Sequence, residues 1–124
     1  MTPNPAWAMP GLRMARPGRT KRPGEMNKTE EAYSWVLEAR KRAGEIQWWG
    51  YEKITLKLTD GVRYTPDFAV LTLGINTTGQ LEFHEVKGYM RDDARVKLRC
   101  AAALFPFKFL LVRKSGQGWE ITEA

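Results

Sequence analysis

The chain has 124 residues, 43% hydrophobic and 27% charged, which places it with soluble globular domains built on one core. No apolar run approaches the roughly 20 residues of a membrane-spanning helix, and no apolar stretch follows the basic N-terminal residues as it does in a secretory signal. The net charge of +6 sits in one place: residues 1–24 hold Arg13, Arg16, Arg19, Lys21 and Arg22 and no acid, while the remaining hundred hold 15 basic and 14 acidic residues.

Residues 1–26 read as an arm. Five of the seven prolines lie there, interleaved with Gly11, Gly18 and Gly24, so no regular structure is expected. Its basic side chains Arg13, Arg16, Arg19, Lys21 and Arg22 suit a nucleic-acid partner. The ordinary alternative is a solvated tail that aids solubility. Residues 27–124 then form the domain proper.

Asn27 through Arg42 form the first expected helix, with Asn27 as N-cap, Glu30 at N3 and Gly44 as a C-terminal stop. Tyr33, Val36 and Leu37 make its apolar stripe. Glu30 falls on the flank of that stripe, about 60–70° from its centre, and Glu31 further round on the solvated side.

Ile46 to Thr59 reads as the first strand, where Ile54, Leu56 and Leu58 alternate with Lys53, Thr55, Lys57 and Thr59. Trp48, Trp49 and Tyr51 suit base stacking, or more ordinarily a core or an oligomer interface. Asp60-Gly61 is hairpin-turn chemistry, and Val62 begins the return strand through Tyr64-Thr65-Pro66-Asp67-Phe68 and on to Leu73. Asn76-Thr77-Thr78-Gly79 turns the chain into a third strand, Leu81 to Lys87, which Gly88 ends.

A second helix is expected from about Arg91 to Leu104, burying Ala94, Leu98, Ala101, Ala102 and Phe105. Cys100 reads as a small buried hydrophobe within it. As the only cysteine it excludes an intrachain disulfide and a cysteine zinc site. Arg91, Arg95 and Arg99 form a column at i+4 steps that suits a phosphate backbone. Surface pairing of Asp92 with Arg95 and of Asp93 with Lys97 is the alternative. Phe107 to Val112 is a fourth strand, apolar enough to be central, and Ser115-Gly116-Gln117-Gly118 turns into a last strand, Trp119 to Thr122.

The fold class that follows is α/β. Helix, three-strand meander, helix and two strands give a mixed five-stranded sheet with helices on its faces. The crossover helix implies a parallel, right-handed connection between strands three and four.

Chemistry concentrates where a hairpin brings Asp67 beside Glu85. Alternation sends Glu85 and Lys87 to one side of their strand, and His84 and Val86 to the other. Two carboxylates and an ammonium at one point of an apolar sheet need compensation, because unpaired charge is expensive to bury. A hard divalent cation, Mg²⁺ or Mn²⁺, supplies it. The single histidine, His84, faces away and reads as a satisfied, partly buried side chain. No Walker-type glycine loop is present, so no nucleotide cofactor is expected.

Pro66-Asp67 followed by Glu85-Val86-Lys87, 18 residues from acid to acid, resembles the signature of the PD-(D/E)XK nuclease superfamily, which includes Holliday-junction resolvases and restriction endonucleases. The resemblance covers about residues 27–124 and agrees with the element order. It implies a restriction-endonuclease-like α/β/α core. Asp67, Glu85 and the Val86 carbonyl would hold one or two Mg²⁺ or Mn²⁺ ions, with Glu30 as a further ligand or simply a cap. Lys87 would orient the attacking water. The activity implied is phosphodiester hydrolysis in DNA, on branched substrates by a homodimer, in the cytoplasm of a bacterial or phage-infected cell. The alternative is a nucleic-acid-binding accessory protein that keeps the fold without activity, and RNA is a further possible substrate.

Overall fold

A computed structural model of the chain describes residues 24–74, 78–87 and 92–124. The basic residues Arg13, Arg16, Arg19, Lys21 and Arg22, the turn residues Asn76 and Thr77, Gly88 and Arg91 lie outside the described residues.

Helix α1 (Lys28–Arg42) starts where its first turn is closed from both sides. The Asn27 side chain accepts from the Glu30 N–H at 2.8 Å, and the Glu30 carboxylate accepts from the Asn27 N–H at 2.9 Å. Glu30, Tyr33, Ser34 and Leu37 are buried, the i, i+3, i+4, i+7 set that makes one face of a helix. Arg40, Lys41 and Arg42 fill the last turn, where the helix dipole favours cations.

The expected first strand divides into β1 (Ile46–Tyr51) and β2 (Leu56–Thr59), and its return into β3 (Val62–Tyr64) and β4 (Phe68–Thr72). Two local features separate the pieces. Glu52 takes a left-handed φ of 51°, which turns the chain out of β1. Pro66, just before β4, has no N–H to give a ladder. β2 and β3 therefore pair only with each other, around the Asp60-Gly61 turn in which Gly61 has φ 78°.

Strand β5 (Leu81–Lys87), helix α2 (Asp92–Leu104), β6 (Lys108–Ser115) and β7 (Gly118–Glu123) complete the chain. The five-stranded sheet runs β1-β4-β5-β6-β7. Only β5 and β6 are parallel, joined by α2, and the other neighbours are antiparallel. The β4–β5 connection is tight: a Cβ on Gly79 would lie 1.7 Å from the Thr72 carbonyl oxygen, so only glycine fits there.

Period-two alternation divides the sheet residues between two cores. Phe68, Val70, Val86 and Val112 pack with Tyr33 and Leu37 of α1. Ala69, Phe83 and Phe109 pack with Leu98 and Ala101 of α2, together with Leu56 and Tyr64 from the ribbon. The result is a helix–sheet–helix arrangement with the β2–β3 ribbon on the α2 side. Phe107 lies just outside β6, which starts at Lys108. Cys100 is exposed rather than buried, because it lies two residues, or about 200°, from Leu98 around α2. No described helix is long and apolar enough to cross a membrane.

Candidate active site

Strand register brings the acidic residues together. Phe68 of β4 pairs with His84 of β5, so one further antiparallel step sets Asp67 opposite Glu85. The Asp67 N–H and carboxyl group lie close enough to the Glu85 carboxyl to hold its pKa down against burial. The Val86 N–H donates to Asp67 Oδ2 at 2.9 Å. A strand residue's N–H and C=O point the same way, so the Val86 carbonyl emerges on the edge that Asp67 occupies.

Two tyrosines complete the cluster. Tyr64, at the end of β3, donates its hydroxyl to Glu85 Oε1 at 2.5 Å, the length of a charge-assisted O–H···O bond. Tyr51, at the end of β1, donates to Glu30 Oε1 at 2.8 Å. The capping carboxylate of α1 is thereby turned toward the sheet. Glu30 and Asp67 are only 4% and 8% exposed, so these are interior acids.

Burial dominates the electrostatics. It lifts the Glu85 carboxyl above its ordinary value, the charge of Glu30 adds to the rise, and hydrogen bonds from Tyr64 and Asp67 oppose it. Burial likewise raises both tyrosine hydroxyls, reinforced at Tyr51 by Glu30 and at Tyr64 by Glu85. Burial therefore holds the Glu85 proton and the two tyrosine protons more tightly than water does.

Lys87 does not join this cluster as the strand alternation alone suggests. It is partly buried on the Glu85 side of β5, but its charged neighbours are Arg113 and Arg95. Desolvation first, and then those two arginines, lower its pKa. Arg113 is its register partner across the parallel β5–β6 pair. The structure thus brings Asp67, Glu85 and the Val86 backbone together, sets Glu30 at electrostatic range, and seats Lys87 among cations.

His84 faces the α1 core, 1% exposed, with Nδ1 2.7 Å from the Tyr33 hydroxyl and Nε2 3.0 Å from Glu82 Oε1. It is more deeply buried than the sequence suggests and fully engaged away from the acidic pair. Trp49 donates its indole N–H to Glu38 at 3.0 Å, which makes it an anchor between β1 and α1. Trp48, at 38% exposed, is the more accessible of the two.

Among the described residues no group of three or more His, Cys, Asp or Glu side chains is gathered closely enough to hold a metal ion. The donor set is narrower: the Asp67–Glu85 pair and one backbone carbonyl. That set fits a hard divalent cation in kind, since all its donors are oxygens. Glu30 serves the helix cap and Tyr51, a role sequence spacing left open between cap and ligand.

From sequence, Tyr51 reads as a base-stacking, core or interface side chain rather than a partner of an acid, and Tyr64 and Arg113 carry no assigned role. The signal for Arg113 was available, because Phe109, Leu111 and Arg113 share the face of Phe83, Glu85 and Lys87 once the parallel register is drawn. Tyr51 and Tyr64 carry no such signal, since their positions depend on where β1 and β3 end. The root of the arm also lies here. The Gly24 N–H donates to Glu52 Oε1 at 3.2 Å, and the Glu52 N–H donates to the Asp67 carbonyl at 2.8 Å. Compared with known proteins, the chain matches no family model, no curated protein and no solved structure.

Proposed function

We propose that this protein is a metal-dependent endodeoxyribonuclease with a restriction-endonuclease-like core of the PD-(D/E)XK type, acting on branched DNA as a homodimer. The observation that carries the reading is the meeting of the Asp67 and Glu85 carboxyl groups beside the Val86 backbone, inside a sheet that otherwise buries apolar side chains.

In this reading Asp67, Glu85 and the Val86 carbonyl hold Mg²⁺ or Mn²⁺, one or two ions. When bound, the ion supplies charge neutralisation at the phosphoryl oxygens. Tyr64 fixes the Glu85 carboxylate, and the Val86 N–H fixes Asp67, so that both acids are held in place before substrate arrives. Lys87, two residues along the same strand face, holds a phosphate oxygen and orients the attacking water. Water adds to phosphorus, one bridging P–O bond breaks, and the bridging oxygen leaves with a proton. A symmetric junction needs two cuts and each chain carries one pair of acids, which is the reason for a dimer.

A second reading has its own observation. Lys87 lies among arginines rather than against the acids, as suits a protein that grips nucleic acid without cutting it. One experiment separates the two. Labelled four-way junction, flap, duplex and single-stranded DNA, with matched RNA, are incubated with the purified protein in Mg²⁺ and in EDTA. Mg²⁺-dependent cleavage strongest on branched DNA is expected. Asp67→Asn and Lys87→Ala should each lose at least about a hundredfold in rate while still binding. Binding with no Mg²⁺-dependent cleavage of any substrate leaves the accessory-protein reading.

A further inference from the structure

The face of the sheet that α2 covers is not fully covered. Between α2 and strands β5, β6 and β7 lies a cleft of about 290 Å³, and four of its lining side chains are cationic: Lys87 from β5, Arg95 and Arg99 from α2, and Arg113 from β6. We propose that this cleft is a phosphate-binding subsite that holds the nucleic-acid backbone next to the Asp67–Glu85 pair. The proposal rests on the nuclease reading for the identity of the strand it holds, and deepens it by naming the groups that grip.

Three features of the geometry support it. First, the charges come from three separate elements and converge. Arg95 and Arg99 stand one helical turn apart on one side of α2, while Lys87 and Arg113 are register partners on the facing strands. Second, among the described residues none of the four cations is held in an ion pair, and Glu123 is the one acidic side chain lining the cleft. Like charges held at short range repel, and an oxyanion between them removes that repulsion. Third, the floor is apolar, formed by Leu98, which is 3% exposed, and Leu111. A dry floor strengthens charge-assisted hydrogen bonds above it.

The position follows from topology. β5 and β6 are the parallel pair, Lys87 is the last residue of β5, and crevices beyond the carboxyl ends of parallel strands are where open α/β sheets receive ligands. Lys87 and Glu85 are two residues apart, about 7 Å along the strand, so a phosphate in the cleft lies beside the acidic pair rather than on it. Three arginines offer planar, forked donors that match phosphate oxygens, and Lys87 adds a point charge.

The ligand chemistry is a phosphate group, carried either within a strand or at its 5′ end. Binding of a 12-nucleotide oligothymidylate with a 3′ fluorophore, bearing either 5′-phosphate or 5′-hydroxyl, is measured by anisotropy in EDTA across a salt series. The full chain is compared with Arg99→Ala, Arg113→Ala and, as a control on the α1 side, Arg42→Ala. Each cleft variant should weaken binding at least about fivefold and lower the salt slope by about one, and Arg42→Ala should do neither. Equal losses on both oligonucleotides assign the subsite to an internal phosphodiester. A loss confined to the 5′-phosphate form assigns it to a strand end.

Wild-type binding by both Arg99→Ala and Arg113→Ala, with unchanged melting curves, overturns the proposal. Mg²⁺-dependent cleavage in parallel assays keeps its failure separate from that of the nuclease reading. Cleavage with arginine-independent binding removes the subsite alone. Arginine-dependent binding without cleavage upholds the subsite and removes the reaction.

Discussion

Glu85 shows how one half-buried carboxyl sets a protein's response to pH. Its pKa is raised above the ordinary 4.5 by burial, so the folded chain holds that proton more tightly than the unfolded chain. Folding therefore takes up a proton as pH rises from about 4.5 through the raised value, and the contribution of Glu85 to stability falls across that window and stays low above it. In EDTA, Glu85→Gln should match the wild type in urea denaturation near pH 4.5 and exceed it in stability at pH 8. A variant less stable than wild type at both pH values would show that the charge is compensated within the protein. The meeting of Asp67 with Glu85 was readable from the sequence, because a hairpin and period-two alternation are enough to define it. The company of Lys87 was not. Its neighbours Arg95 and Arg113 come from a helix and a strand whose registers depend on packing.

At the level of elements, α1 is held by its cap and by Leu37, which has no exposed surface. Leu37→Ala leaves a void under Phe68 and Val70 and should cost about 2–5 kcal/mol in chemical denaturation. A loss under about 1 kcal/mol would mean that α1 is not packed as described. The helix start, the parallel crossover and the interior place of β6 were readable, each resting on a local signal: Asn27 with Glu30, a helix between two strands, and the apolar run Phe109–Val112. The division of the first two strands was not, since nothing in Tyr51-Glu52-Lys53 announces a left-handed turn at a glutamate. Alternation through Ile54, Leu56 and Leu58 continues past that turn, which is why the pattern reads as one strand. Cys100 shows the converse limit. Among the alanines Cys100 reads as one more small buried residue, yet it lies off the Leu98–Ala101 side that meets the sheet.

For the molecule as a whole, the net charge is distributed by segment, with five bases and no acid before Glu25 and near balance after it. If the arm holds nucleic acid, removal of residues 1–23 should reduce the salt slope of duplex binding by as much as about 4.5, because each phosphate neutralised contributes about 0.9. An unchanged slope would assign those charges to solubility. The attachment point gives the arm a further consequence. Gly24 is fastened to Glu52, and Glu52 in turn to the backbone of Asp67, so the first described residue is linked through one glutamate to the strand end that carries the acidic pair. If the residues before Gly24 hold a nucleic-acid strand, that link presents it to those acids at the effective concentration a short flexible linker sets, about millimolar, however weak the capture is by itself.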